Sequence, residues 1–244
     1  MDKLNLTRRK MLSAVGVTGA AVGGVGIITE PSVTYAETTQ IEVESGTFEV
    51  EWRETYNGEV KEDTREGNYT ESGRVIHLPN VLPGDVGTLS FRLTNISGSE
   101  AEPRLSLNLA SAAENGLEDP EKEAGDTSRD GNHPNEDFPG ELQNHIDVSL
   151  WEDTGPLGID WFGADNATQE FGEPNIADGT LKEVAKSEKT EESDKTVDDV
   201  SLGTLADGES TSVAFRWEFA DAADVNITQG DSVTFGFELN TGGN

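Results

Sequence analysis

Residues 126–137, "DTSRDGNHPNED", combine residue types and spacing that are typical of a calcium-binding loop. Oxygen-bearing side chains recur through this stretch, at Asp126, Ser128, Asp130, Asn132 and Asp137. Gly131 stands at the position where an EF-hand-type loop uses glycine for its sharp turn. The sequence therefore predicts a structural Ca²⁺ site that fixes an exposed segment. The alternative is a solvated acidic loop, because the closing residue is Asp where a bidentate Glu is usual and no amphipathic helix flanks the stretch.

The other residues that could do chemistry do not form a catalytic pattern. His77 falls in a predicted strand, His145 just before one, and His133 in the acidic loop. A catalytic zinc ion needs about three protein ligands, and the sequence contains no H-E-x-x-H. It also lacks the G-x-S-x-G of a nucleophile elbow, and it has no cysteine for thiol, iron–sulfur or Cys-ligated zinc chemistry. The sequence thus predicts a protein that is not an enzyme and has no certain cofactor.

The charge of the chain limits its partners. It contains 17 Lys and Arg against 48 Asp and Glu, a formal net charge of −31. Nucleic acid is disfavoured as a partner, because phosphate binding needs a basic surface. The four Trp and nine Phe favour a folded chain over acidic disorder. We expect a salt-adapted protein whose carboxylates are screened in molar salt; an acidic patch for a basic partner is the alternative.

Residues 1–36 have the pattern of an export signal. Arg8 and Arg9 precede a mildly apolar, Gly-rich run at 11–28, and small residues surround a cleavage point after Ala36. The arginine pair indicates a twin-arginine signal, with an ordinary secretory signal as the alternative. No later apolar run is long enough to span a membrane. The mature chain, residues 37–244, is therefore expected outside the cell or at its surface.

Four Asn-x-Ser/Thr sequons follow the signal and are candidates for glycosylation of an exported protein, with chance occurrence as the alternative. They lie at Asn68, Asn95, Asn166 and Asn226.

Alternating apolar and polar residues predict most of the secondary structure. The predicted strands are 48–52, 75–78, 88–95, 104–109, 146–151, 201–205, 210–219 and 232–239, with a short apolar run at Ile41 and Val43. Strands with one apolar face each pack as two layers, so we expect an all-β, antiparallel two-layer sandwich in a single domain. Residues 111–141 and 153–199 are interpreted as acidic surface insertions, with a short helix at 181–186.

Turn motifs in a fixed order accompany these strands. "ESGTFEV" at 44–50 is followed by "LPGDVGTLSFRLTN" at 82–95, then "LGTLADGESTSVAFRWEF" at 202–219 and "NITQGDSVTFGFELN" at 226–240. Pro83 and Gly84 suit the two corners of a tight turn, and Asp85 can accept backbone N–H bonds there. The same role is predicted for Gln229-Gly230-Asp231 before the last strand. Gly208 predicts a further turn.

With these motifs the chain resembles the TasA/camelysin family, exported matrix-fibre proteins that often carry a SipW-type signal. The resemblance implies a jelly-roll-like sandwich that polymerises, in which the segment after the signal completes the sheet of the next subunit. That segment is 37–45 here, with Ile41 and Val43 as its anchors. The alternative is that these two residues pair within their own domain.

The expected function is that of an exported structural protein of the cell surface or extracellular matrix. A filament or biofilm-matrix subunit is the leading hypothesis, with itself or other surface proteins as partner. A monomeric surface binding or adhesion domain is the alternative. A camelysin-like metalloprotease is third.

Overall fold

The structure is a computed structural model of the 244-residue chain. It describes residues 34–38, 47–63, 73–79, 81–114, 119–125, 140–154, 169, 171–187, 194–220, 225–228 and 230–241. Three predicted features lie outside the described residues: most of the export signal, the anchors Ile41 and Val43, and the calcium loop at 126–137. These features stay predictions.

The described residues form strands, two short helices and two 3-10 turns. The strands are β1 (Thr34–Thr38), β2 (Phe48–Tyr56), β3 (Glu59–Asp63), β4 (Gly73–Leu78), β5 (Val86–Asn95), β6 (Pro103–Ala113), β7 (Ile146–Glu152), β8 (Asn175–Thr180), β9 (Val200–Ser201), β10 (Ser210–Phe219) and β11 (Ser232–Thr241). The helices are α1 (Asp119–Ala124) and α2 (Leu181–Val184), and the 3-10 turns are Leu142–Asn144 and Val225–Thr228.

The strands form two sheets. The five-stranded sheet has the order β1-β4-β11-β6-β9, and the six-stranded sheet has the order β3-β2-β5-β10-β7-β8. All pairings between these strands are antiparallel. The predicted all-β, two-layer antiparallel sandwich is confirmed. From β4 to β7 the chain crosses between the sheets at each step, and β4 and β11 lie side by side.

Aromatic rings join the two sheets at the centre of the core. Phe215 on β10 lies 5.0 Å from Phe237 and 5.7 Å from Phe235 on β11, measured between ring centroids. Phe91 on β5 lies 5.5 Å from Phe237. All four side chains are buried. Because each strand presents alternate residues to one face, the alternation seen in the sequence is what brings these rings between the layers.

The two segments interpreted as surface insertions contribute to the core, so that interpretation is wrong in part. Within 111–141, β6 continues to Ala113 and Ala112 is buried. Within 153–199, β8 adds a strand to the six-stranded sheet, and the predicted helix is present as α2. Five apolar side chains among the described residues of this second segment are buried: Ala177, Leu181, Val184, Ala185 and Val197. These segments therefore contribute strand residues and core side chains as well as surface loops.

Candidate functional site

The turn in front of β5 is built as its sequence predicts. Gly84 has a φ of +83°, and Asp85 N donates to Leu82 O at 2.9 Å, which closes the turn. Asp85 Oδ2 accepts the Leu82 N–H at 2.7 Å and the Tyr56 hydroxyl at 2.7 Å, and Asp85 Oδ1 accepts from Asn57 Nδ2 at 3.0 Å. Asp85 is buried. Its carboxylate therefore ties the turn to the end of β2, which is a structural role.

A second buried carboxylate, Asp231, links distant parts of the chain. Its Oδ2 accepts the backbone N–H groups of Glu141 at 2.6 Å and Leu142 at 3.2 Å. The sequence predicted that Asp231 would hold its own turn. That prediction is wrong about the partner, because these bonds reach the 3-10 turn before β7 instead.

Asp231 belongs to a cluster of three buried carboxylates with Glu114 and Glu121, which we call the carboxylate cluster. One carboxylate oxygen from each residue lies within 4.8 Å of those of the other two. Glu114 and Glu121 are 0% exposed and Asp231 is 2% exposed. Among the described residues, this is the group whose carboxylates come close enough to share one metal ion.

The strands and α1 bring the carboxylate cluster together. Ala113 at the end of β6 pairs with Ser232 at the start of β11, so Glu114 and Asp231 lie next to each other just beyond the last pair. Helix α1, which carries Glu121, packs against the 3-10 turn Val225–Thr228 shortly before Asp231. Sheet register and one helix contact thus place three acids at one end of the five-stranded sheet.

The electrostatics of the carboxylate cluster disfavour three unscreened charges. Burial raises the pKa of Asp231 to about 8, although the hydrogen bond from Glu141 N lowers it. The neighbouring carboxylates of Glu114 and Glu141 also raise this pKa, and the value of about 8 includes their effect. Like charges in a poorly hydrated site repel strongly, so the carboxylate cluster favours a bound proton or cation over three free charges.

The sequence did not predict the carboxylate cluster. Glu114 and Glu121 lie in a stretch interpreted as a solvated insertion, because acidic residues are rarely buried. The apolar alternation of β6 ends at Leu109, and a bulge before Ser111 shifts the register ahead of the buried Ala112, so periodicity did not extend the strand towards Glu114.

None of the residues predicted to bind calcium or to anchor assembly belongs to the described part of the chain. Asp126, Ser128, Asp130, Asn132 and Asp137 lie outside the described residues, as do Ile41 and Val43.

The glycosylation candidates have different outcomes. Asn68 and Asn166 lie outside the described residues, and of Asn226 only the backbone, in a 3-10 turn, is described. Asn95 is 0% exposed, and its Nδ2 donates to Ser99 O at 2.7 Å and to Leu205 O at 2.8 Å. A glycan is attached through this nitrogen. The prediction for Asn95 is therefore wrong, since the folded protein uses its side chain to fasten the turn after β5.

The described histidines have surroundings that suit packing and hydrogen bonding. His77 on β4 shares a hydrogen bond of 2.9 Å between its Nδ1 and Thr234 Oγ1 on β11. His145 closes a 3-10 turn with its backbone N–H on Leu142 O. His133 lies outside the described residues.

The N-terminal edge of the five-stranded sheet is a second feature of functional interest. Among the described strands, β1 forms this edge and pairs with β4 alone, with Thr34 opposite His77 and Thr38 opposite Gly73. The cleavage point predicted after Ala36 falls inside β1. If the chain is cut there, three of the five residues that pair with β4 leave with the signal.

No helix in the described part of the chain is long and apolar enough to cross a membrane. The chain matches no protein-family model, and no curated protein matches it significantly. What the protein does is therefore inferred from its own residues and their geometry.

Proposed function

We propose that this protein is an exported structural subunit of the cell surface or extracellular matrix that assembles by β-strand addition. The observation that carries the proposal is the position of β1. It occupies the edge of the five-stranded sheet, and the predicted cleavage point lies within it.

Cleavage after Ala36 would leave β4 as the outer strand along most of its length. Val75, Ile76 and His77 would lose the residues opposite them, which are Ala36, Tyr35 and Thr34. An unpaired edge presents a row of backbone N–H and C=O groups that can accept another strand. The segment 37–45 of a second subunit is the proposed occupant. Such a head-to-tail contact does not close on itself and generates a filament.

The strand order agrees with the fold that the family resemblance implies. The eight strands from β4 to β11 are divided equally between the sheets. One sheet contains the order β4-β11-β6-β9, and the other contains the order β5-β10-β7-β8. Numbered from one to eight along the chain, these orders are 1-8-3-6 and 2-7-4-5. We propose that these eight strands form a jelly roll. In this arrangement β1 lies outside the eight strands, so its replacement by a strand of another subunit leaves the eight-stranded pairing intact.

Electron microscopy of three chains in molar salt tests the proposal. A chain starting at residue 37 should form regular filaments. A chain starting at residue 34 keeps β1 on its own sheet and should stay monomeric. A chain starting at residue 46 has an open edge and no donor segment, so it should also stay monomeric but should bind a synthetic peptide of residues 37–45.

Monodisperse particles from all three chains would overturn the assembly proposal and would favour a monomeric surface domain. Filaments from the chain starting at residue 46 would show that assembly uses another surface.

A further inference from the structure

We propose that the carboxylate cluster of Glu114, Glu121 and Asp231 is a structural binding site for a divalent cation, with Ca²⁺ as the ion that fits best. The proposal goes beyond assembly, since it concerns how one sandwich is held together at the end of β6 and the start of β11. The three residues differ from the predicted loop at 126–137.

The spacing of the oxygens suits one shared ion. Ca²⁺ binds oxygen ligands at about 2.3–2.6 Å, so two ligands of one ion lie at most about 5 Å apart. The three carboxylate oxygens lie within 4.8 Å of one another. Glu121 lies on α1, Glu114 directly follows β6, and Asp231 directly precedes β11, so a shared ion would connect the end of β6, α1 and the start of β11.

An independent observation at Asp231 points to a cation as its ligand. While its Oδ2 accepts two backbone N–H bonds, its Oδ1 is buried and no N–H or hydroxyl group donates to it. The side chain that interacts with Asp231 is the carboxyl group of Glu114, which supplies a hydrogen bond only if the two carboxyl groups share a proton. The whole residue is only 2% exposed. A buried carboxylate oxygen without a partner costs free energy, and a bound cation would satisfy it.

The donor set selects the class of ion. The cluster offers carboxylate oxygens alone, which suit Ca²⁺, Mg²⁺ or Mn²⁺, whereas zinc and copper sites in proteins usually include His or Cys. Ca²⁺ accepts irregular geometry and several carboxylates, whereas Mg²⁺ requires a regular octahedron at about 2.1 Å. The competing arrangement without metal is a pair of carboxyl groups that share a proton, as the raised pKa of Asp231 allows.

Thermal unfolding of the full chain at fixed molar NaCl, in EGTA or in Ca²⁺, tests the site. Saturating Ca²⁺ should raise Tm by about 5–10 °C at a hundredfold excess over Kd. Asp231→Asn should abolish this rise. Because the variant removes one buried charge, its Tm in EGTA should be no lower than that of the wild type. Glu123→Gln is the matched control, since Glu123 is an exposed acid on α1, and it should respond to Ca²⁺ like the wild type.

A second variant separates the cluster from the loop at 126–137. Asp130→Asn removes a predicted loop ligand and should leave the Ca²⁺-dependent rise in Tm intact. If Asp130→Asn loses the rise and Asp231→Asn keeps it, the ion binds the loop and the proposal is wrong. An equal Ca²⁺-dependent rise in Tm in all variants would also overturn the proposal. No rise in the wild type would overturn it in favour of a shared proton.

Calorimetric titration with Ca²⁺ alone tests the site through a second variant, in case Asp231→Asn does not fold. The wild type and Glu123→Gln should bind one ion at the cluster, whereas Glu121→Gln, which keeps the size of the side chain, should weaken that binding at least tenfold. Unchanged binding by Glu121→Gln would contradict the proposal even if Asp231→Asn fails to fold.

Discussion

Gly87 provides a test of packing at the residue scale. A Cβ atom placed there would lie 2.2 Å from Trp217 Nε1, well inside any real contact distance. The indole is fully buried and stacks on Tyr56 with 6.1 Å between ring centroids, so it has little room to move. We expect Gly87→Ala to lower the free energy of unfolding by about 1–3 kcal/mol, measured by denaturant unfolding.

A double-mutant cycle identifies the cause of that loss. Phe lacks the Nε1 atom of Trp217, so Gly87→Ala should cost less in a Trp217→Phe background than in the wild type. Strictly additive effects would show that the clash with the indole is not responsible.

Single residues show where sequence reasoning succeeds and where it stops. The Pro-Gly-Asp turn was predictable down to the role of Asp85, because a tight turn has local rules for each position. The burial of Glu114 and Glu121 was not predictable, because it depends on the register between β6 and β11 and on the packing of α1. A turn is determined by neighbouring residues, whereas a buried cluster is formed by residues that are far apart along the chain.

At the scale of whole elements, the strands that sequence alone predicted are those with an apolar face. Strands β10 and β11 match their predicted segments closely because alternate residues are buried. Strand β3 was missed, although the dipeptide Asn57-Gly58 in front of it is a strong hairpin signal in the sequence. In the structure both residues have the positive φ that such a turn requires. Strand β8 was missed because it lies at a sheet edge and lacks regular alternation. Edge strands need little apolar burial, so periodicity cannot reveal them.

Helix α2 yields a pH prediction at this scale. The carboxylate of Glu183 accepts the Thr180 N–H at 3.1 Å and pairs with Lys195 Nζ at 3.1 Å. The bond from Thr180 and then the charge of Lys195 lower the pKa of Glu183 below its usual 4.5. A lowered folded-state pKa stabilises the protein above the unfolded-state pKa, and this stabilisation is lost as the pH falls through the folded-state value.

Glu183→Gln should therefore lower Tm by a constant, small amount at neutral pH, and the difference from the wild type should shrink as the pH falls below about 4.5. Thermal unfolding across this range measures it, with Glu123→Gln as the control. A difference that grows towards low pH would contradict the assignment.

At the scale of the whole molecule, the charge sets the conditions under which the sandwich is stable. With 48 acidic against 17 basic residues, repulsion acts over the whole surface. Some of it is visible within a sheet: Asp147 on β7 lies directly opposite Glu218 on β10. Like charges that face each other across two strands destabilise the pair. The hydrophobic core has to outweigh this repulsion, and the salt concentration determines how strong the repulsion is.

Tm should rise as NaCl increases from about 0.1 M to about 2 M, because the Debye length falls from about 10 Å to below about 3 Å. If screening recovers about 3 kcal/mol, the rise for a domain of this size is roughly 6–12 °C. Asp147→Asn separates screening from a general salt effect on hydrophobic burial. It should raise Tm at low salt, where Asp147 and Glu218 repel each other, and should have little effect at high salt. A Tm that does not depend on NaCl would contradict salt adaptation. An equal gain from Asp147→Asn at both salt concentrations would show that screened repulsion between these two strands is not its source.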